Sequence, residues 1–403
     1  MKHPFQILLA NELGTHLYAA VKNHIIVYNL STGSQLGHWF DEQQSQHIND
    51  QQIRKTGKTL TAKSKILNHI KCLSITKDEK YLIASTDSDK SILIFELNFI
   101  NQKNCLKLSK RQPMPKRPSS ITTTTNEVIV ADKFGDVYSI PIDSNEPKLE
   151  KNLQPLLGHV SMLTDVLVTS HNNKQFLITS DRDEHIRISN YPKSYVIRNF
   201  LLSHENYISS LSLIKGTDYL ISGGGDDYIL VWNWVTGELI TKFDIKSEVA
   251  SYLTDDHFVP EKFRIDERTT EINISKISNM KKGNKTLVLV LVEKLSVLVI
   301  LEFDGKELKS SQTIHAYSPL ITFTNSKDKV IVSIDPKDSE ESEDLNYIYF
   351  EIYKFNKENE LLPDNDSSHV VRKIESHFPV EVKNREEFAE LYPVSALRKR
   401  SEH

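Results

Sequence analysis

Cysteine is almost missing from this chain: Cys72 and Cys105 are the only two in 403 residues, and neither belongs to a CxxC pair. That excludes a disulfide-stapled scaffold and a cysteine-rich zinc site, and it points to a reducing compartment. An excess of positive charge is missing as well. Lys and Arg number 50 against 54 Asp and Glu, a formal charge of -4. No global basic field draws such a chain to nucleic acid, so any RNA contact has to be local or shared with a partner. Long apolar runs are also absent. The opening MKHPFQILLANELG is interrupted by Asn11 and Glu12 before reaching the length of a secretory apolar region. The stretch TLVLVLVEKLSVLVILEF (286–303) is split by Glu293 and Lys294 into two runs, each well short of the ~20 residues of a membrane helix. It reads as two buried strands and a turn, and no membrane association is expected.

Reaction motifs are missing in the same way. The fifteen histidines and many carboxylates form no HExxH, GxSxG, Walker loop or clustered Cys/His set. The glycine-rich ISGGGDDY (221–228) leads into the strand-like YILVWNW, whereas a phosphate loop has to open a helix N-terminus. No catalytic residue, metal site or cofactor is therefore expected.

What is present is a repeat of 40 to 50 residues, the period of solenoid or propeller units. Residues 156–201 begin LLGHVSMLTDVLV, continue QFLITSDRDEHIRIS and close YVIRNFL; residues 202–245 begin LSHENYISSLSLI, continue DYLISGGGDDYILVWNW and close ELITKFDI. The second unit resembles the WD-repeat pattern, in which His204, Ser222, Asp226 and Trp232 would form one hydrogen-bonded network tying the blade together. An imidazole, a carboxylate and an indole N–H need partners when buried, and together they satisfy one another. The first unit keeps His159 and Asp183 but places Ser189 where the Trp would stand, so its network is incomplete.

Weaker units fill the rest. Strand-like alternation and turn residues give approximate blades at 5–40, 66–110, 113–143, 156–201, 202–245, 265–304 and 307–356. In the first, Lys22 replaces the turn Asp; in the second, His69 and Asp89 are suitably placed. The fold expected is all-β, a seven-bladed WD-repeat β-propeller over 1–356, because radial repetition leaves only short, protected strand edges. Residues 41–65 and the acidic 335–346 contain too little apolar surface to bury and read as mobile insertions. A C-terminal extension, 357–403, is expected to carry a short helix capped by Asn384 and Glu387 and stopped by Pro393, then a basic tail.

Two groups of residues are candidates for contact. Lys110, Arg111, Lys116 and Arg117 lie in a Pro-punctuated basic stretch that could touch RNA phosphates, or simply be solvated. The turn and strand ITSDRDEHIRIS (178–189) place Asp181, Arg182, Asp183, Glu184, His185 and Arg187 close together. Period-two alternation puts Arg187 on the face opposite Ile186 and Ile188. A strand-borne guanidinium beside carboxylates makes a rigid fork for a partner's acid, although solvated surface pairing accounts for the pattern as well.

The succession KRPSSI (116–121), ADKFGDVY (131–138), LLGHVSMLTDV (156–166), ITSDRDEHIRIS (178–189) and ISGGGDDYILVW (221–232) resembles the non-catalytic WD-repeat subunit of the eukaryotic tRNA guanine-N7 methyltransferase, over about 116–232. The resemblance implies a heterodimer with a catalytic subunit that binds S-adenosylmethionine and methylates a guanine of the tRNA variable loop. The propeller would stabilise and order that subunit, hold no cofactor, and meet tRNA mainly through the complex. It implies that Asp183 and Glu184 accept from basic partner groups, that Arg187 pairs with a partner carboxylate, and that Lys133 contributes from the neighbouring blade. His185 stands where a lysine or similar residue is expected. Residence in the nucleus follows from the same resemblance, with KRQPMPKRP as a candidate import signal. A WD-repeat scaffold of another assembly, such as a ubiquitin-ligase receptor or a ribosome-assembly factor, is the alternative.

Overall fold

A computed structural model describes residues 1–42, 68–100, 103–144, 146–264, 266–336 and 348–400. Its strands form seven separate four-stranded antiparallel sheets arranged as the seven blades of a propeller. They occupy 7–40, 70–113, 118–158, 163–201, 208–244, 274–315 and 320–363. In sequence terms a blade is three strong strands and a weaker, more polar outer one. That outer strand is where the expected boundaries differ: Leu157–Gly158 completes the third blade, Leu308–His315 the sixth and Leu361–Pro363 the seventh. Periodicity puts each of them in the following unit or the tail, because a polar outer strand alternates too weakly to be assigned that way.

Seven apolar layers fill the seven blade interfaces. One joins Ile178, Ile186 and Ile188 of the fourth blade to Leu220, Leu230 and Trp232 of the fifth; another joins Val288, Val290 and Val299 of the sixth to Ile229 and Val231 of the fifth. Glu293 and Lys294 do form the turn between strands Lys285–Val292 and Val297–Phe303. Both faces of every blade are thus covered by neighbours. A side chain that faces away from one apolar row still points into the next interface.

The ring closes without a shared blade. The first blade is built wholly from the N-terminal stretch and the seventh wholly from the C-terminal stretch. The seam is held by the extension instead: residues 1–3 pair antiparallel with 380–382, through His3 N–H to Val380 O at 2.9 Å and Val382 N–H to Met1 O at 3.0 Å. Helix Ser368–Ser376 packs Val370 and Ile374 into the layer formed by Phe5, Tyr28 and Phe350. This is the C-terminal helix; the segment with the Asn384 and Glu387 signature makes only the short 3-10 turn Arg385–Glu387, and Asn384 caps nothing with its side chain. The expected insertions 41–65 and 335–346 lie almost wholly outside the described residues. Asp41 and Asp335, at their N-terminal edges, are buried and paired with Arg111 and Arg385.

Candidate interaction face

The fifth blade holds the expected tie. His204 Nδ1 lies 2.6 Å from Asp226 Oδ2, its Nε2 2.7 Å from Ser222 Oγ, and the Trp232 indole donates to the same hydroxyl at 2.9 Å. All four side chains are buried. The fourth blade solves the same problem with other atoms. His159 Nδ1 meets Asp181 Oδ2 at 2.8 Å and its Nε2 meets Thr179 Oγ1 at 2.8 Å. Asp181 also accepts from the backbone N–H groups of Asp183 and His185. Burial raises its pKa, but the His159 bond and the two backbone donors outweigh that and hold the carboxyl below its usual range. In strand register Asp183 is the counterpart of Asp226, so the tying role given to Asp183 belongs to Asp181, two residues earlier.

Arg187 is the second correction. It is only 8 % exposed. Nε donates to Ser189 Oγ at 2.9 Å, one terminal amino group to Gly158 O at 3.0 Å and the other to Ser194 O at 2.9 Å. Ser189 sits at the Trp position, and the guanidinium occupies the polar niche that its short side chain leaves. A buried cation is tolerable only when so satisfied. Alternation had placed Arg187 opposite the Ile pair correctly, but that side faces the third blade rather than solvent. It is therefore not a free fork for a partner.

The rest of the turn is available. Glu184 and His185 are exposed, and Glu184 adopts φ 74°, a left-handed conformation that tips the turn outward. Asp183 accepts from Ser161 Oγ at 2.6 Å and lies 2.5 Å from Lys399 Nζ; these partners hold its carboxyl low against the opposing effect of burial. Arg182 donates through Nε to Leu397 O at 2.6 Å, and its terminal amino groups meet no acceptor among the described residues.

The other basic candidates divide in two. Lys110 is buried and donates to Pro141 O at 2.8 Å, and Arg111 bridges Asp41 and Asp89. That bridge takes the Asp89 carboxylate that the sequence had set beside His69, whose backbone N–H bonds Asp87 instead. Lys116 and Arg117 remain outward-facing, with Lys116 Nζ 3.9 Å from the Phe134 ring centre. Lys133, beside Phe134, is exposed.

Two apolar side chains in this sector are not among the residues that the sequence pattern singles out: Phe134 is 65 % exposed and Val160 107 %. Their signal was available, since a Phe in a polar turn and a Val directly after the tying His159 have no blade face to occupy. β-Bulges in the innermost strands turn Lys71, Ser119, Thr164, Ser209 and Ser275 toward the mouth of the central channel. There they line a cavity of about 490 Å³ together with Arg117 and Lys133, roofed by Glu390, Pro393, Val394 and Leu397 of the C-terminal segment. Deeper in, Asp165 accepts from Ser120 Oγ and Leu211 N–H, while Lys276 donates to Phe323 O. Burial pushes the Asp165 carboxyl up and the Lys276 ammonium down to about 8. No group of three or more potential metal ligands occurs among the described residues.

With the tie of the fifth blade in place, the architecture is that of a WD-repeat propeller, a class that works by presenting its rims to other molecules. Within it, the family described as "tRNA methyltransferase TRM82 WD40 domain" matches residues 17–152 and 143–347, and the chain belongs to that family. Its relatives agree. A Debaryomyces hansenii protein named tRNA (guanine-N(7)-)-methyltransferase non-catalytic subunit TRM82 is 40% identical, with 100% of each chain covered. The protein of the same name from Saccharomyces cerevisiae S288c is 35% identical over 100% of this chain and 99% of its own; that from Kluyveromyces lactis is 32% identical over 100% of both. Among solved structures, U3-55K superposes with a TM-score of 0.61 at 15% identity, covering 87% of this chain and 95% of that one. The RRP9 WD40 repeats give 0.60 at 15%, over 85% and 91%. At that identity the likeness is one of fold alone.

Proposed function

We propose that this chain docks a catalytic, S-adenosylmethionine-dependent tRNA methyltransferase subunit on the sector of its rim that runs from the second blade to the fourth. Membership of the family makes it an accessory, non-catalytic subunit of a tRNA guanine-N7 methyltransferase. The observation that carries the docking site is the juxtaposition, on that sector, of the exposed Phe134 and Val160 with the unpaired fork of Arg182, the half-exposed Asp183, Glu184, His185 and Lys133. Exposed apolar anchors beside oriented charges are how protein interfaces concentrate their binding energy.

The propeller's part is linkage. A rigid face that binds only the ordered form of the catalytic subunit raises that form's population by the differential affinity it supplies. The cofactor is held by the partner, and tRNA is met mainly through the complex, with Lys116 and Arg117 as the cations left free to reach phosphate. Nuclear residence belongs to the same proposal. Because Lys110 and Arg111 are committed within the fold, KRQPMPKRP is a poor import signal, and entry with the partner suits the structure better.

Co-purification tests the reading. Phe134→Glu and Asp183→Lys are expected to abolish recovery of a methyltransferase-fold subunit while the propeller's thermal midpoint is unchanged. An intact, active complex carrying both changes would sink it, and so would a pull-down that consistently returns no such subunit.

A further inference from the structure

Beyond the last blade the described residues stay on the propeller. Residues 385–400 run across the rim that carries the turns and touch five blades. Arg385 forks onto Asp335 at 2.7 and 2.9 Å, and Tyr392 donates to the same carboxylate at 2.9 Å. His3 Nε2 accepts from Ala389 N–H at 2.8 Å, and Lys22 Nζ donates to Glu387 O at 2.7 Å. Glu293, buried and pushed up to about 7 by that burial, accepts the N–H groups of Val394 and Ser395 at 2.7 and 3.0 Å. Arg398 donates to Gly225 O at 2.7 Å and to Ile272 O at 2.8 Å, with Glu271 3.3 Å away. On either side of this anchor the segment reaches the fourth blade, where Leu397 O holds Arg182 and Lys399 holds Asp183.

We infer that residues 394–400 are a working part of the partner platform, setting the Arg182 guanidinium and the Asp183 carboxylate in the attitude in which the catalytic subunit meets them. The inference rests on the docking surface proposed above and adds the device that prepares it. The tail takes one donor, Nε, from Arg182 and leaves the terminal fork open. On Asp183 it shares Oδ1 with Ser161, while Oδ2 accepts no hydrogen bond among the described residues. Tail and partner therefore use different atoms and do not compete. An unrestrained arginine gives up rotamer freedom on docking, whereas one already fixed by Leu397 O has little left to lose, which is how preorganisation raises affinity. The tail is fixed by Glu293, on the sixth blade, and by the Gly225 and Ile272 carbonyls beside the fifth and sixth blades that take Arg398; none of these acceptors is in the charged turn, so platform and anchor can be altered separately.

The test measures the Kd between full-length propeller and purified catalytic subunit for the native chain, Arg398→Ala, Arg182→Ala and the double variant, with thermal midpoints recorded for each. Arg398→Ala is expected to raise Kd on the order of five- to twentyfold. The double variant should bind less weakly than the product of the two single effects, because the anchor acts in part through that side chain. An unchanged or lowered Kd for Arg398→Ala, or effects that simply multiply, would overturn the inference and leave the tail idle or a competitor. If Arg182→Ala itself leaves Kd untouched, the docking surface is wrong instead. Should Arg398→Ala lower the thermal midpoint, a chain ended after Pro393, which keeps every blade and the paired seam, makes the same measurement.

Discussion

The fourth and fifth blades share a topology and a histidine four residues before the innermost strand, yet they distribute their polar groups in opposite ways. In the fifth, the turn carboxylate Asp226 is drawn inward to His204, and the indole of Trp232 completes a closed network. In the fourth, Asp181 takes the histidine from the position held by Gly224 in the fifth, which releases the turn carboxylate Asp183 to the surface. A serine replaces the indole, and Arg187 is drawn in to fill the niche. The blade with the regular pattern thus commits its turn aspartate to the tie, while the irregular one leaves the equivalent aspartate at the surface and buries an arginine beside the serine that replaces the indole. On the docking proposed above, departure from the repeat rather than agreement with it marks the blade that meets the partner.

The largest way to break this comparison is Arg187→Ala. It strands two carbonyls and a hydroxyl in a dry interface and should lower unfolding stability by about 3 kcal/mol, read from denaturant titration. The comparison is sharpened by rebuilding the fifth blade's pattern in the fourth: Arg187→Leu with Ser189→Trp should recover more than half of that loss, and a double variant less stable than Arg187→Ala would show that the niche cannot hold an indole. Next comes the pair of carboxylates. Asp181→Asn should cost about 2 kcal/mol through the lost charge-assisted bonds to His159 and two backbone donors, whereas Asp183→Asn, which touches an exposed pair, should cost less than about 1 kcal/mol. Equal costs would erase the distinction between an inward and an outward carboxylate. The smallest effect is on pH. Because the Asp181 carboxyl is held below its usual 3.8 in the folded chain, its stabilisation is complete above that value and is lost as pH falls through the lower folded value. An acid titration of Asp181→Asn should lack this part of the decline.

Much of the fold was legible in the sequence because its signals are local and repeated: four-strand periodicity, loop histidines and turn acids recur every 40 to 50 residues. The tie of His204, Ser222, Asp226 and Trp232 was readable in full. The candidate site was legible in its location but not in its assignments. Alternation states which side of a strand Arg187 occupies, and only the closed ring makes that side an interior. Asp181 and Asp183 are two residues apart on one turn, and the choice between them depends on where the backbone brings His159. The course of residues 385–400 had no local signature. The Asn384 and Glu387 pair suggested a helix, but bonds to Asp335, His3 and Glu293 draw that stretch out across the rim, and tertiary contacts of that kind override a short capping signal.

The seam also governs how the protein is made. Because the first blade is complete in itself and borrows no strand, it can form as soon as its forty residues leave the ribosome, and the others can add to it in order. One flank of the first blade, with Phe5 and Tyr28, has no cover until the seventh blade and the helix Ser368–Ser376 have emerged. For nearly the whole of synthesis the nascent chain is therefore an open arc with a greasy end. A message truncated near residue 364 yields seven blades whose first and seventh still meet through Phe5 and Phe350 but lack the strand pairing and the helix that secure that seam.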